Sequence, residues 1–272
     1  MERKPNPLRQ ALAVRGYAAG SVMYSWSPGV MEAAAYAGLD FMRIDTEHTW
    51  RQDASAEHLM RAALLAGIMP IIRVDRDSPA LIRKALEIGA GGIIVPDVHS
   101  PEDAESVVRA AKFPPRGSRG YSGNVWSAGW GTSAGSEWIE WSDAEPLIGA
   151  MIENHEAMQC IDQILATQGL DFVLFGPADY AMSLGWRRTA KDSPEVQAAI
   201  QRTVEAAARS GKHVMLGVSG AQDELLRYQE MGITIFEFPN DLKVLGDAWG
   251  KSRGALQGVW ASAVDATQHR AS

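Results

Sequence analysis

Eight short apolar runs alternate along this chain with stretches of helical spacing, and that alternation limits the fold more than any other feature. The apolar runs fall at residues 18–23, 41–45, 69–74, 92–96, 147–152, 172–175, 214–218 and 235–238. Helical patterns lie between them at 28–37, 56–67, 79–89, 101–111, 155–167, 194–211 and 222–231. Several open on Ser-Pro, where proline suits the first helical position, and several close on Gly, which accepts the left-handed conformation past the last turn. Strands that alternate with helices join as parallel βαβ units. Eight such units in 272 residues predict an α/β chain folded as a (β/α)8 TIM barrel. A doubly wound open sheet is the other arrangement the alternation allows. No Gly-x-Gly-x-x-Gly opens a helix after the first strand, which weighs against that sheet and against a dinucleotide.

One segment breaks the rhythm. Residues 112–143 are rich in Gly, Ser and Trp and hold Trp126, Trp130, Trp138 and Trp141. Connections this long inside a compact domain are commonly lids or binding loops. Coming after the fourth βα unit, the segment is expected at the catalytic face, where Trp126 and Trp130 would stack on a bulky or aromatic substrate. Sealing a subunit interface is the competing role for these tryptophans. The domain is expected as one barrel over 1–254, with the polar, Ala-rich 255–272 as a tail whose last residues lack order.

A net charge of −7 and a pI near 5.4 argue against nucleic acid or an anionic membrane as the main partner. Cys160 is the sole cysteine, so an intrachain disulfide and a Cys-based metal cluster are both excluded. No signal peptide and no membrane span are expected, and the cytoplasm is the expected location.

Chemistry concentrates just past the apolar runs. The fifth run delivers Glu153, and the sixth delivers Gly176-Pro177-Ala178 and then Asp179. Two carboxylates at the ends of successive strands can meet on one barrel face and hold a hard divalent cation. Capping of the following helices is the ordinary alternative for such acids. The second run leads into Asp45-Thr46-Glu47-His48, which puts His48 at the catalytic face as an acid/base group, a metal ligand or a surface residue. The third run ends at Arg73, a buried cation that needs an anionic partner: a substrate carboxylate or oxyanion, or Asp45 or Glu47. Glu87, late in a helix, reads by default as a surface acid. Lys84, Lys112, Lys191, Lys212, Lys243 and Lys251 read as helix or loop residues, so no Schiff-base lysine is expected at a strand end.

The segments FMRIDTEHTW, MPIIRV, GGIIVPDVHSPEDAESVVRAAKFPPRGSRG, MIENHEAM, FGPADYAMSLG and SPEVQAAI resemble the HpcH/HpaI family of class II pyruvate aldolases. They run from about residue 20 to 246, and the paired IE and GPAD motifs with PPxGxRG between them are specific. The resemblance implies a metal-dependent barrel with an exchanged C-terminal helix, assembled as dimers into a hexamer. It also implies that Glu153 and Asp179 bind Mg²⁺, Mn²⁺ or Co²⁺, and that Arg73 contacts the keto oxygen that becomes an enolate. His48 would act in proton transfer with Glu87 as its acidic partner, Asp45 and Glu47 would stand behind them, and the amides of Ala178 and Asp179 would hold a pyruvate carboxylate. The implied partners are a small 2-oxo acid and an aldehyde, and the implied reaction makes or breaks the C3–C4 bond of a 4-hydroxy-2-oxo acid. Decarboxylation or lysis of another 2-oxo acid or a CoA thioester could use the same site, and a non-catalytic binding barrel is the reading from a different class.

The chain departs from the family pattern at Thr46, where Gly is usual, and at Met151, where Gln is frequent. It departs again at Phe238-Pro239-Asn240-Asp241 and from Tyr121 onward. These departures point to a changed acceptor pocket beside retained enolate chemistry.

Overall fold

The structure, a computed structural model, describes residues 5–49, 55–187 and 191–270. In chain order the elements begin α1 (Pro7–Arg15), β1 (Ala18–Met23), α2 (Pro28–Tyr36), β2 (Phe41–Asp45), α3 (Ser55–Ala66), β3 (Met69–Arg73), α4 (Pro79–Glu87), β4 (Gly92–Val95) and α5 (Pro101–Ala111). There follow α6 (Ser136–Ala144), β5 (Leu147–Ile152), α7 (His155–Gln159), α8 (Ile161–Ala166), β6 (Phe172–Phe175), α9 (Pro177–Ser183), α10 (Pro194–Ser210), β7 (His213–Gly217), α11 (Gln222–Met231), β8 (Ile235–Phe238) and α12 (Asp241–Arg270). All eight strands pair in parallel with their neighbours and β8 returns to β1, which closes the barrel. The fold is therefore the (β/α)8 barrel that the alternation predicts.

Two side-chain sets fill it. One lies between sheet and helices, with Ile44, Ile72, Ile93, Ile148 and Val173 meeting the apolar faces of the helices. The other fills the barrel interior. Because successive strand residues point to opposite faces, the inward set is Phe41, Met69, Ile71, Ile94, Leu147, Met151, Phe172, Leu174, Met215 and Ile235. Gly149 makes room for the Phe172 ring, since a Cβ there would stand 2.3 Å from Phe172 Cζ. The same parity carries Arg43 and Asp45 on β2, Arg73 on β3 and Glu237 on β8 inward, and all four are buried. The interior is thus apolar where the strands begin and charged where they end.

Helix α1, absent from the expected element list, packs Leu8, Ala11 and Leu12 against the apolar end of the interior. Asn6 anchors it: its Oδ1 accepts from the Leu8 N–H at 3.0 Å, and its Nδ2 donates to the Gly91 carbonyl at 2.7 Å. The mouth where the strands end is not covered by α1.

The Trp-rich segment corrects an expectation. It leaves the end of α5 and leads into β5, so it is a helix-to-strand connection. Barrel helices run antiparallel to the strands, which starts the segment at the end where strands begin, opposite the strand-end carboxylates. Trp126 shows this directly. Its ring packs on Gly89, between α4 and β4, so closely that a Cβ there would lie 2.1 Å from Trp126 Cζ3. Trp130 shares the same 3₁₀ turn, Trp126–Gly131, and is exposed. Neither ring lines the strand-end mouth of its own barrel, because a segment that follows a complete βα unit leaves the helix at the end where strands begin, not at the catalytic face. Trp138 is fully buried in a satellite cluster with Phe113 and Ala128.

The C-terminal region differs as well. Helix α12 passes through Gly254 without a break, so no change of secondary structure marks the expected boundary before 255–272. Ala271 and Ser272, where loss of order was expected, lie outside the described residues. Leu242, Leu245, Trp249, Leu256 and Trp260 are all exposed along this helix. Among the described residues no helix is long and apolar enough to cross a membrane.

Candidate active site

Asp45 organises the mouth of the barrel. It is fully buried at the end of β2, directly beside Arg73 in the register of β2 and β3. One oxygen, Oδ1, accepts from the backbone N–H groups of Glu47 (3.0 Å) and His48 (2.9 Å), which turns the chain sharply after the strand. The other, Oδ2, accepts from Arg73 Nη2. Burial opposes its ionisation, but the His48 N–H and the guanidinium groups of Arg73 and Arg43 outweigh that and hold its pKa below the usual range. Asp45 is therefore a carboxylate at neutral pH.

Arg73 is 5% exposed. Its Nη1 lies 2.9 Å from Glu47 Oε2 and 3.9 Å from Met151 Sδ. Its Nε is buried with no hydrogen-bond partner. Asp45 and Glu47 thus supply the anionic partners a buried strand-end arginine requires, while its Nε is left buried and unpaired. The His48 ring is well exposed, with Nε2 4.0 Å from Glu47 Oε2.

Glu153 follows β5 and is 8% exposed. It does not cap the next helix; Asn154 does, accepting the Ala157 N–H at 2.8 Å. Glu153 Oε1 instead accepts the Asp97 N–H at 2.7 Å. Asp97 holds φ at +55°, a left-handed conformation unusual for a residue with a side chain but more tolerated by Asp. Burial, assisted by the charges of Asp179 and Glu47, pushes the Glu153 carboxyl up to about 7. Asp179 is exposed in the first turn of α9. Gly176, the residue before that helix, has no side chain to cap it, and a Cβ there would come within 2.8 Å of Glu153 Oε2.

This arrangement suits a divalent cation. A buried carboxylate reluctant to ionise, with further acids gathered round it, lacks only a positive charge. The space at Gly176 keeps Glu153 Oε2 accessible. Among the described residues no group of three or more His, Cys, Asp or Glu side chains converges as a complete cage. Two carboxylates with the remaining positions left to water and substrate are the arrangement Mg²⁺ favours.

The structure brings Asp45, Glu47, His48 and Arg73 together and sets Glu153 within electrostatic reach of Asp179, Glu47 and Arg73. Glu87 is not among them. It ends α4, with Arg83 Nε 3.9 Å away and the charge of Arg119 nearby, so its partners are arginines rather than His48. Four contributors escape sequence reasoning. Tyr24, just past β1, feels the charges of Asp45, Arg73 and Arg43, and burial pushes its phenol up. Asp97 contributes a backbone N–H, which no side-chain pattern reveals. Arg43 and Glu237 pair inside the barrel, and their strand parity with Asp45 and Ile235 was the available signal.

Beside this centre opens a cavity of about 430 Å³ between the ends of β1, β7 and β8, lined among others by Val22, Tyr24, Lys191, Ser219, Glu237 and Asn240. Its charges are balanced: Lys191 Nζ donates to Glu224 Oε1 at 2.5 Å, and Glu237 is paired with Arg43.

Residues 21–248 match the model of the HpcH/HpaI aldolase/citrate lyase family. This chain belongs to that family. It is 33% identical over 245 residues to a hydroxypyruvate/pyruvate aldolase of Cupriavidus necator, covering 89% of each chain. It is 30% identical over 247 residues to a 5-keto-4-deoxy-D-glucarate aldolase of Shigella boydii, covering 91% of this chain and 95% of the other. A family structure from Burkholderia cenocepacia J2315 superposes with a TM-score of 0.84 at 30% identity, over 93% of this chain and 99% of that one. The family member described here is a 2-oxo acid aldolase/lyase of the class II pyruvate aldolase type.

Proposed function

We infer that this aldolase cleaves and forms the C3–C4 bond of a 4-hydroxy-2-oxo acid, with Glu153 and Asp179 holding Mg²⁺, Mn²⁺ or Co²⁺. The observation that carries the reading is the buried, charge-crowded Glu153, which feels the charges of Asp179 and Arg73 at the same barrel mouth. A bound divalent ion supplies positive charge where the 2-oxo oxygen gains negative charge. Arg73 supplies its guanidinium charge to that oxygen. The amides of Ala178 and Asp179, at a helix start without a side-chain cap, receive the substrate carboxylate. His48 accepts the proton of the C4 hydroxyl as the C3–C4 bond breaks; the bonding pair becomes the C2–C3 double bond of the enolate and C4 leaves as an aldehyde carbonyl. Protonation of C3 gives pyruvate. Met151 places a thioether near Arg73 and no amide donor, so the arginine carries more of the ketone binding here. The bare apolar stripe of α12 supports an oligomer built by exchange of that helix.

Exchange of the pyruvate methyl protons for deuterium tests the enolate step apart from any aldehyde. Exchange should stop in excess chelator and return with Mg²⁺, Mn²⁺ or Co²⁺. His48→Ala should lower cleavage by about 10²–10⁴-fold. Persistent exchange in chelator, or full cleavage by the His48 variant, would overturn the reading.

The cavity at β1, β7 and β8 is the place for the aldehyde. Its balanced charges favour a neutral aldehyde over a dianionic one, and Val22, Val218, Phe238 and Pro239 share its lining with Tyr24, Ser219 and Asn240. Asn240→Leu should therefore reorder rates across an aldehyde panel. Trp126→Ala should leave the order intact and cost about 2 kcal/mol of stability, since its half-buried ring packs at the opposite end of the barrel. A reordered panel in the Trp126 variant alone would return specificity to the Trp-rich segment.

A further inference from the structure

Inside the barrel mouth lies an ion pair that the reaction does not obviously need. Arg43 Nε donates to Glu237 Oε1 at 2.6 Å and Nη2 donates to Oε2 at 2.8 Å, a two-pronged contact between β2 and β8. Arg43 and Glu237 are each 6% exposed. Strand β1 lies between them, with Val22 beside Arg43 and Gly20 beside Glu237 in register. Gly20 has no side chain, so the lane across β1 is open. It must stay open, because a Cβ at Gly20 would fall 2.4 Å from the Phe41 carbonyl oxygen.

Stability alone does not account for this pair. Buried ion pairs are often matched or bettered by apolar residues of similar size, and inward Ile71, Ile94, Leu174 and Met215 show that the interior is filled by apolar residues elsewhere. What the pair does achieve is the placement of the third nitrogen of Arg43. Nη1 is buried, has no hydrogen-bond partner and lies 3.7 Å from Asp45 Oδ2, the oxygen that also binds Arg73. Charges therefore alternate along a continuous row, Glu237, Arg43, Asp45, Arg73, Glu47.

We propose that Arg43 and Glu237 are positioning residues for Arg73: Glu237 locks the Arg43 fork, and Arg43 shares Asp45 Oδ2 so that Arg73 is held in place without being fully neutralised. A lone Asp45–Arg73 pair would close on itself in this dry pocket, and the pull of Arg73 on a substrate oxyanion would weaken. The shared arrangement keeps Arg73 oriented and still electron-poor at Nε. The proposal rests on Arg73 meeting the 2-oxo oxygen, as inferred above.

The test is the double variant Arg43→Met/Glu237→Met in the full-length enzyme with its divalent ion, read by pyruvate deuterium exchange and thermal unfolding. Removing both charges leaves neither one buried alone. The thermal transition should stay at or above that of the parent, kcat for exchange should fall about 10- to 100-fold, and KM for pyruvate should change little. A kcat within twofold of the parent in a folded double variant overturns the proposal. Should the double variant not fold, Arg43→Lys is read by itself, since it keeps a charge near Asp45 and loses the fork. A lower kcat at unchanged KM and thermal transition supports the positioning role; an unchanged kcat overturns it. A parent enzyme that does not exchange pyruvate protons at all would instead count against the proposed reaction, which separates the two failures.

Discussion

Replacing Glu153 by glutamine should abolish turnover and at the same time stabilise the metal-free protein above pH 7. Burial foremost, then the charges of Asp179 and Glu47, lifts the carboxyl from 4.5 to about 7. Between those values the folded state keeps a proton that the unfolded chain has released, so stability falls as pH rises through that window. The whole cost, about 3 kcal/mol, is present above about pH 7. Glutamine removes the charge, and its side-chain oxygen can still accept the Asp97 N–H. The metal-free variant should therefore melt roughly 5–10 °C higher at pH 8, and no higher than the parent near pH 4. Activity should fall at least about 10³-fold, because the charge that attracts a cation is gone while the shape remains. Melting curves at the two pH values and deuterium exchange with added Mn²⁺ give both readings. A variant that still turns over at the parent rate would remove Glu153 from the metal site, and an unchanged melting temperature at pH 8 would show that the carboxylate is not under strain.

Arg73→Ala should be damaging in two separable ways. The folded protein loses the guanidinium that faces Asp45 Oδ2 and Glu47 Oε2. Asp45 is fully buried, and its remaining cation, Arg43, stands 3.7 Å away. Breaking a buried pair from one side costs about 3–5 kcal/mol, which should lower the melting temperature markedly. The reaction loses a donor aimed at developing negative charge, worth about 10²–10³-fold in rate. That loss should fall on kcat more than on the KM for pyruvate, because the interaction strengthens as the enolate forms. Arg73→Lys should recover stability better than rate, since an ammonium restores the charge but cannot reach Asp45, Glu47 and a substrate oxygen through one planar fork. A rate loss confined to KM would reassign Arg73 to ground-state binding.

The alternation of apolar runs and helical stretches was enough to read eight strands and close the barrel. The place of Arg73 at the end of an apolar run was enough to mark it as a buried cation in need of an anion, with Asp45 and Glu47 among the partners on offer. Glu153 and Asp179 were legible because each follows a buried strand, and in a barrel every strand end faces one mouth. The misreadings have local causes. The Trp-rich segment was rightly placed after the fourth βα unit, but a chain leaving a barrel helix emerges where strands begin, which reverses the end of the barrel it was expected to occupy. Helix α1 was missed because its apolar positions, Leu8, Ala11 and Leu12, make sense only against the ring of side chains they cover. Glu87 was paired with His48 only by the family resemblance, yet it ends α4 one turn from Arg83, with which it pairs.

The sequence by itself determined what repeats over a few residues: the periods of strand and helix, the caps, and the side of each strand on which a charge must sit. Such signals are local, because burial of alternate or every third and fourth side chain is written into neighbouring positions. Only the tertiary structure decided which charges meet. Arg43 and Glu237 lie 194 residues apart, and the Asp97 N–H and Glu153 lie 56 apart. Their contacts depend on strand register, on closure of β8 against β1 and on the empty lane at Gly20. None of these has a local signature, because the free energy that selects them comes from the closed barrel as a whole.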